Sequence, residues 1–291
     1  MPKKLTAFDV INAIFLILIA AVTAYPFINI ISLSFSSYEA YIQNPMRIFP
    51  SDVTLAAYRE IMQHTRLYSS YGNTIAVSLF GTILALLLYV LTAYPLSKKE
   101  LKGRGIIMVF IIFTMMFSGG LIPSFYLIRQ LKLYDTLTAV ILVSVFSGFN
   151  LILVKNFFEQ LPQSLIEAAK IDGASEWFIL WKIVIPLSMP IISTIALFTA
   201  VGYWNNFFTS VVYIKSPQKW PLMLFLREII MGARMREMAS GGNLAEIQRS
   251  EVNQISIQYA TLLLVILPII CVYPFLQKHF VKGVLVGSVK G

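Results

Sequence analysis

The sequence predicts an all-α integral membrane protein with six transmembrane helices. The first sign is a set of six stretches without Asp, Glu, Lys or Arg: Val10–Tyr38, Leu67–Ser97, Gly105–Ile128, Thr136–Val154, Ile183–Ile214 and Val252–Gln277. The shortest has nineteen residues, and roughly 20 apolar residues span a ~30 Å hydrocarbon core as a helix. Backbone groups in lipid must bond internally, which at these lengths favours helices over barrel strands. Composition is the second sign: 57% of residues are hydrophobic and 13% charged, where soluble chains carry about 25% charged residues. Spans are expected near 10–35, 72–96, 106–129, 136–156, 187–213 and 254–277, in a single membrane domain over 1–291, with a polar loop at 160–186.

Taken in order, the first apolar run follows Lys3 and Lys4 but continues through Ala20–Ile31 without a small-residue cleavage site. It therefore reads as a retained helix and not a signal peptide. The segment from Ser36 to Tyr71 contains Pro45, Pro50 and an expected amphipathic helix, capped by Ser51 or Asp52, with Leu55, Tyr58, Ile61 and Met62 at helical spacing. The hairpin Lys98–Arg104 packs four basic residues into one short connection; with Lys3, Lys4, Lys278 and Lys282 it points to the cytoplasm, as do both termini. Counted over whole loops the bias is small, twelve Lys/Arg inside against eleven outside, but six of the latter lie in the long loop from Tyr213 to Glu251. That loop carries Arg227, Arg234 and Arg236 before Ser240-Gly241-Gly242-Asn243, and loops of such length are uncommon unless functional or disordered. The single cysteine, Cys271, excludes an intrachain disulfide.

The segment 160–186 is the most informative. Pro162 suits a first helical turn, and Gln163–Lys170 can form two turns with Leu165, Ile166 and Ala169 on one side. Asp172-Gly173 breaks this helix, Ser175 can cap a second one, and Glu176 complements its dipole. Trp177, Phe178, Leu180 and Trp181 give the second helix a bulky flank, and Pro186 marks the turn into the fifth span. A short helix at the membrane surface can sit in the cleft of a partner and move with it: Ala168 and Ala169 permit close approach, and Glu167 offers a carboxylate to an Arg fork. An amphipathic helix lying in the membrane interface without a partner is the simpler alternative for such a segment.

The spacing of Glu167-Ala168-Ala169, Gly173 and Ile183-Val184-Ile185-Pro186 resembles the E-A-A-x3-G-x9-I-x-L-P loop of binding-protein-dependent ABC importer permeases, with Ile185 in place of the Leu. Met116-Phe117-Ser118-Gly119-Gly120-Leu121-Ile122-Pro123, Gly202-Tyr203-Trp204-Asn205, Tyr273–Lys278, Val281-Lys282-Gly283 and Gly287–Gly291 are similar to the carbohydrate-importer permeases, in the branch named for LplC, which includes permeases for alginate and for xylan-derived aldouronates. The resemblance implies ATPase coupling through Glu167, Ala168, Ala169, Asp172, Gly173 and Pro186, and a tail contact to the ATPase through Gly287, Ser288 and Lys290. It also implies a second homologous permease, two ATPase subunits that bind ATP and Mg, an extracytoplasmic solute-binding protein, and residence in a bacterial cytoplasmic membrane. No cofactor is expected on this chain.

The residues exclude several other classes. There is no G-x-x-x-x-G-K-[ST] phosphate loop, so the chain is not itself the ATPase. His64 and His279 are expected on opposite sides of the membrane, and no His/Cys/Asp cluster has metal-ligand spacing. The span cores lack ionisable groups, which disfavours an ion-coupled carrier. The formal charge of +9 reads as topology rather than nucleic-acid binding. Ser118, Tyr126, Arg129, Asn150, Tyr203, Trp204, Asn205 and Asn206 mix hydrogen-bonding and aromatic groups suited to sugar hydroxyls and C–H faces. Bonds to neighbouring helices are the alternative role for these polar groups, and Ser118-Gly119-Gly120 equally suits a kink or a close helix contact. An importer of oligosaccharides or polysaccharides, acidic alginate-like ones included, is therefore expected ahead of a secondary carrier, a gated channel or a structural subunit.

Overall fold

A computed structural model describes residues 6–239 and 255–271, and these residues are helical with no strand. The described chain falls into two compact units, one holding 6–67, 225–239 and 255–268 and the other 68–224 and 269–271.

In the first unit, α1 (Ala7–Ser34) starts with a reciprocal cap: the Asp9 N–H donates to Thr6 Oγ1 (3.3 Å) and the Thr6 N–H to Asp9 Oδ2 (2.8 Å). Its apolar side chains are exposed along nearly the whole helix, and only Ser32, Leu33 and Ser34 are buried. The connection holds α2 (Tyr38–Gln43) and α3 (Ala56–Gln63). The expected cap by Ser51 or Asp52 is corrected: α3 starts after Leu55 without a side-chain cap. Ala57 and Ile61 form its buried face, while Leu55 and Met62 are exposed. Arg66 Nη1 holds both Glu228 oxygens at 2.6 and 2.8 Å, and the last apolar helix of the described chain, α15, covers Ile255–Cys271.

The second unit is organised by breaks. After α4 (Thr65–Ser97), the third apolar stretch is α5 (Arg104–Met116) and α6 (Leu121–Gln130), bent by 110°. The fourth is α7 (Leu137–Ser144) and α8 (Gly148–Glu159), bent by 55°. The expectation of one continuous helix in each is corrected. At the first break Gly120, the residue before α6, sits at φ +83°, a conformation that L side chains rarely adopt, and a Cβ added at Gly119 would meet no described atom within 4 Å, so among the described residues Ser118-Gly119-Gly120 forms a kink. The fifth stretch also begins earlier than expected: the helix from Glu176 runs to Leu187, and α12 (Met189–Trp204) leaves it at 79°. The turn falls at Ser188, two residues beyond Pro186. α13 (Phe208–Tyr213) follows, and α14 (Leu222–Ala239) begins in this unit and belongs from residue 225 to the first. As continuous rods, α1 and α4 alone among the described helices are long and apolar enough to cross a membrane; each bent pair reaches that length together.

The α7–α8 break is closed by two tyrosines. The Ser147 N–H, which has no partner inside α8, donates to Tyr89 Oη of α4 (3.0 Å), and the Tyr203 hydroxyl of α12 donates to the Ile141 carbonyl in the last turn of α7 (2.9 Å). Tyr203 is 3% exposed and its ring lies against Gly81, where an added Cβ would sit 2.5 Å from the ring. The main core of this unit joins Tyr89, Leu151, Val154, Phe158, Ile179, Val184 and Ile195.

Gly81→Ala should therefore destabilise the protein by about 1–3 kcal/mol, the usual cost of overpacking, because the Tyr203 ring is pinned by its hydrogen bond. Gly148→Ala meets Met115 Cγ at a similar 2.6 Å and should cost less, because an unbranched Met side chain can change rotamer where a hydrogen-bonded Tyr ring cannot. Thermal unfolding of the detergent-solubilised protein ranks the two variants.

Candidate functional site

The expected loop forms two helices welded to the core of the second unit. α9 (Gln163–Ile171) follows Pro162, which occupies the N-cap and not the first helical position. Ile166 and Ala169 pack inward. Leu165, expected beside them, faces out, together with Glu167 and Ala168. The C-terminus is a Schellman motif: the Gly173 N–H donates to the Lys170 carbonyl (3.0 Å) and the Ala174 N–H to the Ala169 carbonyl (2.9 Å), with Asp172 as the cap. Gly173 sits at φ +80° with open space around it, so the backbone conformation alone demands the glycine.

Ser175 then caps α10 (Glu176–Ile179), its Oγ accepting the Phe178 N–H at 3.3 Å, as the sequence suggests. A π-helical turn, Leu180–Val184, continues into α11 (Ile185–Leu187), which carries the exposed Pro186. Ile179, Leu180 and Val184 are buried, whereas Trp177, Phe178 and Trp181 are exposed. The loop thus has an inward apolar seam and an outward face that carries Glu167, Ala168, Asp172 and Ile171, the last 86% exposed.

Carboxylates flank the loop on either side, and cations hold both. Glu176 accepts from the Tyr94 hydroxyl (2.6 Å) and from Lys98, and pairs with Lys170 (3.3 Å). Lys98 also lies over the Tyr94 ring, 4.4 Å from its centroid. Glu159, at the end of α8, pairs with Arg104 and with the buried Lys155 (2.9 Å). A cleft of about 610 Å³ runs between Leu91, Tyr94, Lys98, Lys170 and Trp177, and a second of about 290 Å³ is lined by Ser97, Lys99, Gln163 and Glu167. Burial pushes the Glu176 carboxyl up, but hydrogen bonds from Lys98, Tyr94 and Lys170 outweigh it and hold the group at about 2. These partners were missed in the sequence, where nothing links Lys98 to a residue 78 positions away or Arg104 to one 55 away.

The candidate path residues divide into separate groups. Tyr203 and Asn206 lie against α7: the Tyr203 hydroxyl donates to the Ile141 carbonyl, and Asn206 Nδ2 donates to Ser144 Oγ (3.2 Å) while its buried Oδ1 has no partner among the described residues. Trp204 is half-buried and Asn205 caps α12, exposed. Asn150 is half-buried in the first turn of α8. Ser118 is exposed at the α5–α6 break, and Tyr126 and Arg129 are exposed on α6. Beyond α6, Asp135 at φ +62° ties its turn to the chain after α13. It accepts from the Lys215 and Ser216 N–H groups (2.9 and 2.8 Å), and these bonds with those of Ser216 Oγ and Lys219 outweigh burial and lower its pKa. The tail residues Gly287, Ser288 and Lys290 lie outside the described residues. Among the described residues no group of His, Cys, Asp and Glu could hold a metal ion.

Residues 102–286 match the family described as the binding-protein-dependent transport system inner membrane component. The chain is 43% identical to "Protein LplC" of Bacillus subtilis, over 98% of this chain and 95% of that one. It is 41% identical to the "Polygalacturonan/rhamnogalacturonan transport system permease protein YtcP" of the same organism, over 98% of each. Among solved structures it is similar to a chain of a bacterial ABC transporter involved in the import of the acidic polysaccharide alginate, with a TM-score of 0.86 and 34% identity over 96% of this chain and all of that one. A chain of a bacterial alginate ABC transporter, in complex with alginate pentasaccharide-bound periplasmic protein, shares the fold at a TM-score of 0.56 and 13% identity over 92% of each.

The depressed Glu176 value makes a pH prediction. A carboxylate held below its ordinary 4.5 contributes its full stabilisation above that value and loses it as pH falls through about 2. The infrared carboxylate band assigned by difference with Glu176→Gln should persist at about pH 4, where an unperturbed Glu is already largely protonated. Conversion of the band near the ordinary value would mean that the loop is not held by these bonds.

Proposed function

The chain belongs to the binding-protein-dependent transport system inner membrane component family, and we propose that it is one permease subunit of a bacterial ABC importer for an acidic oligosaccharide or polysaccharide fragment. The reading rests on one observation above the rest: a loop whose inner seam is buried in the core while Glu167 and Ala168 face outward, ready for a partner to grip. The names of its relatives support a sugar substrate, and the alginate importer supports an acidic one.

In this reading the complex contains a second, homologous permease, two ATPase subunits and an extracytoplasmic solute-binding protein. Six spans, two of them bent, cross the cytoplasmic membrane with both termini inside, and the whole of 1–291 is one membrane domain. ATP and Mg bind to the ATPase subunits, and this chain performs no hydrolysis of its own. Nucleotide closure draws the α9–α10 loop inward. The loop is fixed to α8 on one side and to α12 on the other, so its displacement rotates both helices and opens the cavity toward the binding protein. Hydrolysis reverses the motion. Glu167 offers its carboxylate to an ATPase cation, Ala168 and Ala169 allow close contact, and Asp172, Gly173 and Pro186 hold the exit geometry. The tail at Gly287, Ser288 and Lys290 adds a second ATPase contact. Ser118, Tyr126, Arg129, Asn150, Tyr203, Trp204, Asn205 and Asn206 are the proposed path, with Tyr203 acting through the packing it enforces.

Two experiments follow from this reading. Gly173→Val forces a β-branched residue into a left-handed conformation, at about 1–2 kcal/mol, and should abolish ATP-driven uptake in a chain that still inserts. Gly173→Asn, which tolerates that region better, should retain more uptake. Equal uptake in both would remove the mechanical role of this position. For substrate charge, Arg129→Gln should depress uptake of an acidic oligosaccharide while leaving the affinity of the binding protein for the permease intact, because an Arg fork suits a carboxylate. A transporter that carries only neutral sugars, or a defect confined to docking, would refute the acidic assignment.

A further inference from the structure

The cation–carboxylate contacts around the loop have a common geometry. Lys98 follows α4 directly and Arg104 opens α5, so the two cations stand at the two ends of one short connection. Glu159 closes α8, four residues before α9, and Glu176 opens α10, five residues after α9. Lys98 reaches Glu176 and Arg104 reaches Glu159, so the two ends of one hairpin grip the two ends of one loop. Each grip has support. The Tyr94 hydroxyl and Lys170 complete the first, and Lys155 completes the second, with its Nζ also donating to Asn156 Oδ1 at 3.1 Å.

We infer that Lys98, Arg104, Glu159 and Glu176 form a two-point clamp that makes the α4–α5 connection and the α9 loop move as one rigid lever. A single ion pair lets two segments pivot about it; two pairs at separated points remove that pivot. Work delivered at α9 therefore reaches α4 and α5 as well as α8 and α12, the helices joined to the loop by the chain itself. Stability alone does not account for the arrangement, because partly exposed pairs such as Lys98–Glu176 contribute little to folding. The four residues are positioning residues, and the inference rests on the reading of the loop as the segment moved by the ATPase.

The test uses the complete importer in proteoliposomes with loaded binding protein, and measures substrate uptake and ATP hydrolysis in the same vesicles. Lys98→Gln and Glu176→Gln should each lower the substrate carried per ATP about two- to fivefold, in line with the loss of one exposed pair, while hydrolysis continues. The exchange Lys98→Glu with Glu176→Lys should restore at least half of that loss. An unchanged ratio in the single variants, a parallel fall of uptake and hydrolysis, or an exchange no better than the singles would overturn the clamp. Failure of the underlying reading looks different: the wild-type complex itself would take up substrate without regard to ATP.

Discussion

A helix interrupted within an apolar bundle leaves backbone groups that water is not present to satisfy, and this constraint shapes the second unit. At the α7–α8 break the chain answers it with two tyrosine hydroxyls from different helices, Tyr89 as acceptor for Ser147 and Tyr203 as donor to Ile141. Both rings are buried, and the Tyr203 ring fits only because residue 81 has no side chain. A bend thus becomes a junction where α4, α7 and α12 are fixed together, and α8, which starts there, leads to the loop that carries α9.

That loop behaves as part of the core and not as an appendage. Ile179, Leu180 and Val184 are among the buried residues of the cluster, and Ile166, Ala169 and Ala174 pack against it. The Schellman motif fixes how α9 ends, the Ser175 cap fixes how α10 begins, and only four residues, 172–175, separate the two helices. Such a segment has the stiffness that the proposed coupling role requires. The polar face and the apolar seam are consequences of the same helical period, which sets Glu167 and Ala168 outward when Ile166 and Ala169 turn in.

Local chemistry was legible in the sequence and distant chemistry was not. The uncharged stretches mark where helices run, and Asp172-Gly173 and Ser175 mark a helix end and a helix start, since each signal lies within a few residues of what it controls. The breaks at 117–120 and 145–147 carry no charge, so a hydropathy reading runs through them. Gly119-Gly120 hinted at the first, and Ser147, a capping residue inside an apolar run, was the available signal for the second. The α3 cap was misplaced because Ser51 and Asp52 sit too far upstream of Ala56. The ion pairs of Lys98 and Arg104 depend on tertiary approach, for which a lone chain has no periodic trace. Among the polar residues proposed for the path, burial separates Tyr203 from the exposed Ser118, Tyr126 and Arg129, a distinction that residue type does not contain.

The outward side of the loop also bears on how the cell balances subunit production. Ile171 and Trp177 stand largely uncovered and Phe178 and Trp181 about half so, and Ile171 is the most exposed of them. Apolar surface of this kind is tolerated where another protein or the lipid interface covers it and invites association where neither does. In the proposed importer, a copy synthesised in excess of its companions would keep this patch open to chaperones and membrane proteases, so a surface proposed to engage a partner would also mark an orphan for removal.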